Sequence, residues 1–328
     1  LLAFNEIVSY KEGIIRSLQI IKGLITNKKL ALCDKGDFDG IASAALFKRK
    51  YRDGIVVLAA PSEVKTNLLL RIPKWYYVAD LPCPGKAIIR VDHHKTNRPC
   101  AELEFYDPKA PAATLLALKA LNLEEDPLAN EIAKIAIETD TANVKSEESL
   151  LLDSAVKGSD YLGKLYLIEK LAELGIAVLK DENVKKWISK HTTKLKTTDD
   201  IVDNLINKIG IYKELIIIFE KDLNLDYRYM CISLERKGAH FTYILVPRSH
   251  FKLRIYAGAN PRSNYDVTKV TIPLGGGGHR YAAGASLRGI FRRKLVLKAI
   301  NEVKNYLNKD KIEVLTIDKG GNIEKITL

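Results

Sequence analysis

Apolar residues in the first hundred or so positions come in short runs, each closed by an acid or a turn. The runs at 29–34, 54–60, 75–80, 87–92 and 102–107 are rich in β-branched and aromatic residues and read as strands. Helical stretches alternate with them, the pattern of βαβ units and a mostly parallel sheet. From about 112 to about 210 the period changes. ATLLALKALN, LANEIAKIAIE, LGKLYLIEKLAELGIAVLK and DDIVDNLINKIG repeat their apolar positions every three or four residues, as amphipathic helices do. Strands then return as LIIIFE, YRYMCISLE, TYILVP and LRIYAGA. A glycine run, a helix over 292–307 and a pair of short strands around 319–321 follow. The pattern predicts an α/β fold. An N-terminal, mostly parallel-sheet domain with a helical extension occupies 1–195, a linker 196–210, and a smaller α+β domain 211–328.

Composition narrows the class. The chain has 328 residues, enough for two domains with separate cores, and is 47% hydrophobic and 28% charged. No run approaches the roughly 18 apolar residues that span a bilayer, so no membrane association is expected. The N-terminal segment LLAFNEIVSYKEG carries an early acid and no basic region ahead of a cleavage site, so a signal peptide is not expected. Cys33, Cys83, Cys100 and Cys231 show no paired zinc spacing, and four scattered thiols suit a reducing cytoplasm. Gln19 is the single glutamine in a chain rich in lysine, isoleucine and leucine, a composition that leans toward thermophiles. A net charge of +12 favours an anionic partner, nucleic acid or a nucleotide, although solvated lysine faces account for the same excess.

The acids that close the apolar runs carry the chemistry. Leu30-Ala31-Leu32 leads to Asp34, Asp37 and Asp39 in DKGDFDG. Tyr76-Tyr77-Val78-Ala79 ends in Asp80, and Val91 in Asp92-His93-His94. Ile132–Ile137 leads to Asp140. In a parallel sheet the carboxyl ends of the strands open on one edge, where ligands bind. Four segments thus deliver carboxylates and imidazoles to one place, a concentration of like charge that calls for cations. Carboxylates suit hard divalent ions, and imidazole shifts the preference from Mg²⁺ toward Mn²⁺ or Zn²⁺. Asp37 and Asp39 can each face a different ion, with a carboxylate from another strand bridging them. That is the arrangement of a two-metal hydrolase.

GDFDGIASA, VADLP, VDHHKTN and IETDT resemble, in order and spacing, the four motifs of the DHH phosphoesterases. That group includes RecJ-type single-strand exonucleases, nanoRNases and pAp phosphatases, and family II pyrophosphatases. NPRSNYD (260–266) and GGGGHRYAAGAS (275–286) resemble the substrate motifs of the DHH-associated domain. The resemblance spans nearly the whole chain. It implies an active site in a cleft between the two domains and two Mn²⁺ ions. Asp37 would bind one ion, Asp39 the other, and Asp80 both. His93 would be a ligand, and Asp140 would complete the coordination from the helical side. Asp92 would orient its neighbours, with a simple turn acid as the alternative, and His94 would face the scissile phosphate. In the second domain, Arg262 and Ser263 and the run Gly276, Gly277, Gly278 and His279 would hold substrate phosphates. His191, His240 and His250 fall outside every motif.

One position departs from the pattern. Most relatives carry a histidine two residues before the first aspartate, where this sequence has Lys35. A protonated amine cannot ligate. The expectation is that Lys35 stands among the acids as a fixed charge, weakens the first metal position and touches the substrate phosphate. The leading functional expectation is a Mn²⁺-dependent, RecJ-like 5′→3′ exonuclease on single-stranded DNA or RNA in repair or replication, of archaeal appearance. The alternatives are a nanoRNase or pAp phosphatase acting on short oligonucleotides, and a non-catalytic scaffold partnered with a DNA helicase.

Overall fold

Five short strands lie side by side in parallel, and four of them are apolar enough to be covered on both faces. A computed structural model describes residues 2–95, 97–141 and 146–328, the side chains of 2–10 excepted. Thr96 of VDHHKTN therefore lies outside the described residues. After helix α1 (Leu2–Ile25) come β1 (Leu30–Asp34), α2 (Phe38–Lys50), β2 (Ile55–Ala59), α3 (Pro61–Thr66), β3 (Trp75–Ala79), β4 (Ala87–Asp92) and β5 (Ala101–Tyr106). The strands form one sheet in the order β2-β1-β3-β4-β5, every pair parallel. All five residues of β1 are buried, whereas β5, at the edge, is largely open. Helix α2 is buried from Phe38 through Lys48. It packs against the helical layer made by α4 (Ala113–Ala120), α5 (Pro127–Asp140), α6 (Glu147–Gly158) and α7 (Tyr161–Leu174). The expected strands and helical extension are present.

The chain divides into two compact units, Ala3–His191 and Thr192–Leu328. Helix α8 (Glu182–Ile209) runs through that boundary and covers 196–209 of the segment 196–210 expected as a linker. The physical reason is its apolar stripe. Val202 and Leu205 are buried in the core of the second unit, with Ile201, Ile206 and Ile209 packed against them.

The second unit is α+β. It contains β6 (Glu214–Phe219), α9 (Tyr227–Arg236), β7 (Phe241–Ser249), β8 (Lys252–Ala259), α10 (Thr268–Thr271), β9 (Gly277–His279), β10 (Ala282–Arg288), α11 (Arg292–Leu307), β11 (Glu313–Ile317) and β12 (Ile323–Thr327). The seven strands form a mixed sheet in the order β12-β11-β6-β7-β8-β10-β9. YRYMCISLE, expected as a strand, is helix α9. Asp226 caps it by accepting the Tyr229 N–H at 3.0 Å. Tyr227, Met230, Cys231 and Leu234 are buried at helical spacing. Here the cap and the 3.6 period outweigh the β-propensity of tyrosine and isoleucine.

The cysteines also differ from expectation. Cys83 and Cys100 form a disulfide across 17 positions, while Cys33 and Cys231 are buried free thiols. Among the described residues no helix is long and apolar enough to cross a membrane.

Candidate metal centre

The strand order reverses direction between β1 and β3. The chain leaves β1 toward β2 on one side and returns to place β3 on the other, so the carboxyl ends of β1 and β3 flank the point where ligands bind such sheets. Asp34 ends β1, Asp37 and Asp39 begin α2, Asp80 follows β3, His93 and His94 follow β4, and Asp140 ends α5.

Local forces fix each one. Asp37 is the N-cap of α2 and accepts the Gly40 N–H at 3.2 Å. A side chain at Gly40 would bring its Cβ within 2.4 Å of the Asp34 carbonyl oxygen, so only glycine lets α2 start this close to β1. Asp39 accepts the Ala113 and Thr114 N–H groups at 2.7 and 2.9 Å and the Thr114 hydroxyl at 2.5 Å, which ties it to the start of α4. Asp80 has φ of +57°, a left-handed conformation uncommon outside glycine. Its N–H donates to the Val91 carbonyl at 3.0 Å, which holds the strained turn beside β4.

Three groups of potential ligand atoms result, each with its atoms within 4.8 Å of one another: Asp34, Asp37 and Asp80; Asp39, His93 and Asp140; Asp80, His93 and His94. Ionised carboxylates at that range repel by roughly 3–4 kcal/mol per pair at an effective dielectric near 20. Burial and mutual repulsion show in the acidities. Asp34 is pushed up to about 8, first by burial and then by Asp37, against the N–H groups of Gly36 and Lys35. Asp39 is pushed up to about 6, by burial and then by Asp37 and Asp140, against its Thr114 hydrogen bonds. Asp80 is raised well above the usual range by burial and then by Asp39, Asp37, Asp34 and Asp140. Asp140 is raised by burial, with His93 and His94 opposing and Asp37 adding to it.

Two atoms test whether the residues fit a cation. Asp80 Oδ1 and His93 Nε2 are buried with no hydrogen-bond partner and stand 3.7 Å apart. His93 Nδ1 lies 3.0 Å from the Ala110 carbonyl oxygen, so that nitrogen carries the proton. Nε2 then faces Asp39, Asp80 and Asp140 at 3.6–3.8 Å. An imidazole nitrogen turned toward carboxylates and fixed through its other nitrogen is a metal-binding arrangement. The residues fit a divalent cation.

Asp92 lies in none of the three groups. It is fully buried, accepts Arg90 at 2.5 Å and Asn97 at 2.8 Å, and faces His94 Nδ1 at 3.0 Å. Burial alone would raise its pKa, but the hydrogen bonds from His94 and Asn97 and the charge of Arg90 outweigh it and hold Asp92 low. The same hydrogen bond raises His94, against burial, with help from the charges of Asp92, Asp140 and Asp37. His94 is thus aimed by Asp92, and its Nδ1 is 3.3 Å from Asp80.

Lys35 is not among the acids as expected. Its ammonium pairs with Glu12 of α1 and, at 2.9 Å, with Glu63 of α3. Glu63 in turn meets Arg16, so the network ties α1 and α3 to the loop after β1. The cation that does approach the acids is Lys164 of α7. It donates to the Lys35 carbonyl at 2.8 Å and is pulled down to about 8, by burial first, while Asp34 and Asp37 oppose that shift. Asp34 was legible as an acid closing an apolar run, but no motif gave it a role, and Lys164 sits in a helical stretch with nothing to single it out.

In the second unit Arg262 is exposed and its N–H donates to Asn260 Oδ1 at 3.0 Å. Ser263 is turned inward, its hydroxyl donating to the Asn260 carbonyl at 2.7 Å. The glycine run is structured: Gly277–His279 form edge strand β9 on β10. A Cβ at Gly276 would fall 2.2 Å from the Gly284 carbonyl oxygen, so part of the run serves close backbone packing.

Comparison with known proteins gives a likeness of fold. No family model matches the chain, and no curated protein matches it by sequence. Among solved structures, a pGpG-specific phosphodiesterase from Vibrio cholerae is similar at 18% identity and TM-score 0.56, over 85% of this chain and 99% of that one. RecJ from Thermus thermophilus, in complex with Mn²⁺, is similar at 14% identity and TM-score 0.57, over 92% of this chain and 55% of that one. The DHH domain of a member of a ribosomal-protein family is similar at 12% identity and TM-score 0.55, over 93% of this chain and 92% of that one. The fold is the one these three proteins share. On it the chain carries a carboxylate–imidazole centre suited to divalent cations.

Proposed function

We propose that the chain is a two-metal phosphodiesterase of nucleotides, a Mn²⁺-dependent exonuclease on single-stranded DNA or RNA. The observation that carries this reading is His93 Nε2 and Asp80 Oδ1, both buried without a hydrogen-bond partner, facing each other among four further carboxylates at the switch point of the sheet. Asp37 and Asp80 would hold one cation, and Asp39, Asp80, His93 and Asp140 the other. Bound cations would acidify a water and neutralise the phosphoryl group. The chain supplies the rest. Ala110 keeps His93 turned inward, and Asp92 aims His94 and favours its protonated form, which can donate to a phosphoryl oxygen. Arg262 and the segment around His279 hold further phosphates of the substrate. The net charge of +12 supports a polyanionic substrate.

A second reading, hydrolysis of very short oligonucleotides, is favoured by the fold likeness to a pGpG-specific phosphodiesterase. A non-catalytic scaffold for a helicase complex is disfavoured, because Asp37, Asp39, Asp80, His93 and Asp140 fall in groups able to hold a metal ion. The test is product analysis on end-labelled single-stranded DNA and RNA of graded length with Mn²⁺, Mg²⁺ or EDTA. Mn²⁺-dependent shortening of long strands supports the exonuclease. Cleavage confined to the shortest ones supports the second reading, and no cleavage of either contradicts both.

A further inference from the structure

The end of β1 carries a carboxylate that the two-metal reading above does not use. Asp34 is buried, and its Oδ1 takes the Lys35 and Gly36 N–H groups at 2.7 and 3.2 Å. A ligand oxygen of Asp34 nevertheless lies within 4.8 Å of ligand oxygens of Asp37 and Asp80. The nearest sequence neighbour able to neutralise it, Lys35, spends its ammonium on Glu12 and Glu63. One buried cation, Lys164, acts on Asp34 and Asp37, and His94 Nδ1 lies 3.3 Å from Asp80. Asp80, the third member of this group, is buried and its Oδ1 has no hydrogen-bond partner.

We propose that Asp34 is a metal ligand, and that the centre consists of two chemically unlike positions. Asp34, Asp37 and Asp80 make an all-carboxylate position for a hard cation, Mg²⁺ or Mn²⁺. Asp39, His93 and Asp140 make an imidazole-containing position that also accepts Zn²⁺. The inference rests on the two-metal reading but concerns metal occupancy, which is measured without substrate. Failure to cleave any nucleotide would therefore leave it standing, and loss of the all-carboxylate position would leave hydrolysis at the other ion to be judged separately.

The experiment is calorimetric titration of the EDTA-stripped full chain with Mn²⁺, Mg²⁺ and Zn²⁺. The wild type should bind two Mn²⁺. Asp34→Asn should lose one of them, or bind it at least about tenfold more weakly, and should lose Mg²⁺ binding. Asp140→Asn should keep its Mg²⁺ and lose Zn²⁺, and Lys35→Ala should keep both Mn²⁺ ions. Two Mn²⁺ at wild-type affinity in Asp34→Asn would overturn the proposal, as would loss of an ion in Lys35→Ala. Should Asp34→Asn not fold, anomalous scattering from Mn²⁺-loaded wild-type crystals decides. An ion bonded to an Asp34 oxygen supports the assignment, and manganese bound without Asp34 refutes it.

Discussion

The Ala110 carbonyl oxygen lies 3.0 Å from His93 Nδ1, and this contact decides which nitrogen of the ring faces the acids. A side chain that keeps a donor toward Ala110 but lacks the second ring nitrogen should preserve the fold and lose the cation. His93→Asn should therefore bind Mn²⁺ at least about tenfold more weakly while its melting temperature in EDTA stays near the wild-type value. Undiminished Mn²⁺ affinity in that variant would place the metal elsewhere.

The raised acids make the metal-free protein sensitive to pH in a defined direction. An aspartate whose pKa is higher folded than unfolded keeps a proton that the unfolded chain releases. Its contribution is fully present below the unfolded value and is lost as pH rises through the folded one. For Asp34 that window runs from its ordinary 3.8 to about 8, and for Asp39 from 3.8 to about 6. Asp34→Asn should accordingly gain stability over the wild type in EDTA, and the gain should grow across the window. Melting curves at stepped pH measure it. A gap that is constant or shrinks with pH would contradict the assignment of charge at this residue.

The Cys83–Cys100 disulfide joins the segment after Asp80 to the start of β5, past His93 and His94. A crosslink closing a loop of this size stabilises by about 3 kcal/mol, chiefly by restricting the unfolded chain. Reduction, or Cys83→Ser, should lower the denaturation midpoint accordingly and weaken Mn²⁺ binding, since both linked segments position ligands. A midpoint indifferent to reductant would show that the crosslink does not contribute.

The strands of the first unit were legible because each is an apolar run closed by an acid, and that same punctuation located Asp37, Asp39, Asp80 and Asp140. What the sequence did not disclose depends on direction. Whether the Lys35 ammonium turns toward Asp37 or toward Glu12 and Glu63 is set by where α1 and α3 pack, which no local pattern encodes. Asp34 acquires its neighbours only when β3 settles beside β1 and brings Asp80 across. Cys83 and Cys100 are paired by the turns after β3 and before β5, not by their spacing. In the second unit the aromatic run at Tyr227 imitates a strand until Asp226 is seen to cap it. The glycine run looked like an open anion cradle, yet part of it is an edge strand whose Gly276 is needed for packing against Gly284.

Charge gives a prediction for the substrate. If long single strands bind, affinity should fall with salt at a slope of about −0.7 for each phosphate neutralised. Arg262→Ala should raise KM for such strands and reduce that slope. A shallow salt dependence, together with preference for dinucleotides, would favour the short-oligonucleotide reading, and unchanged kinetics in Arg262→Ala would remove that residue from the substrate site.

The central claim is that the centre around Asp80 hydrolyses nucleotide phosphodiesters with bound divalent metal. Its most direct measurement compares wild type with Asp80→Ala on end-labelled single-stranded oligonucleotides, with Mn²⁺ and with EDTA. The prediction is shortened product from the wild type with Mn²⁺ only, and none from a folded Asp80→Ala. Near-normal turnover by Asp80→Ala, or a Mn²⁺-loaded wild type that leaves every nucleotide substrate intact, would contradict it.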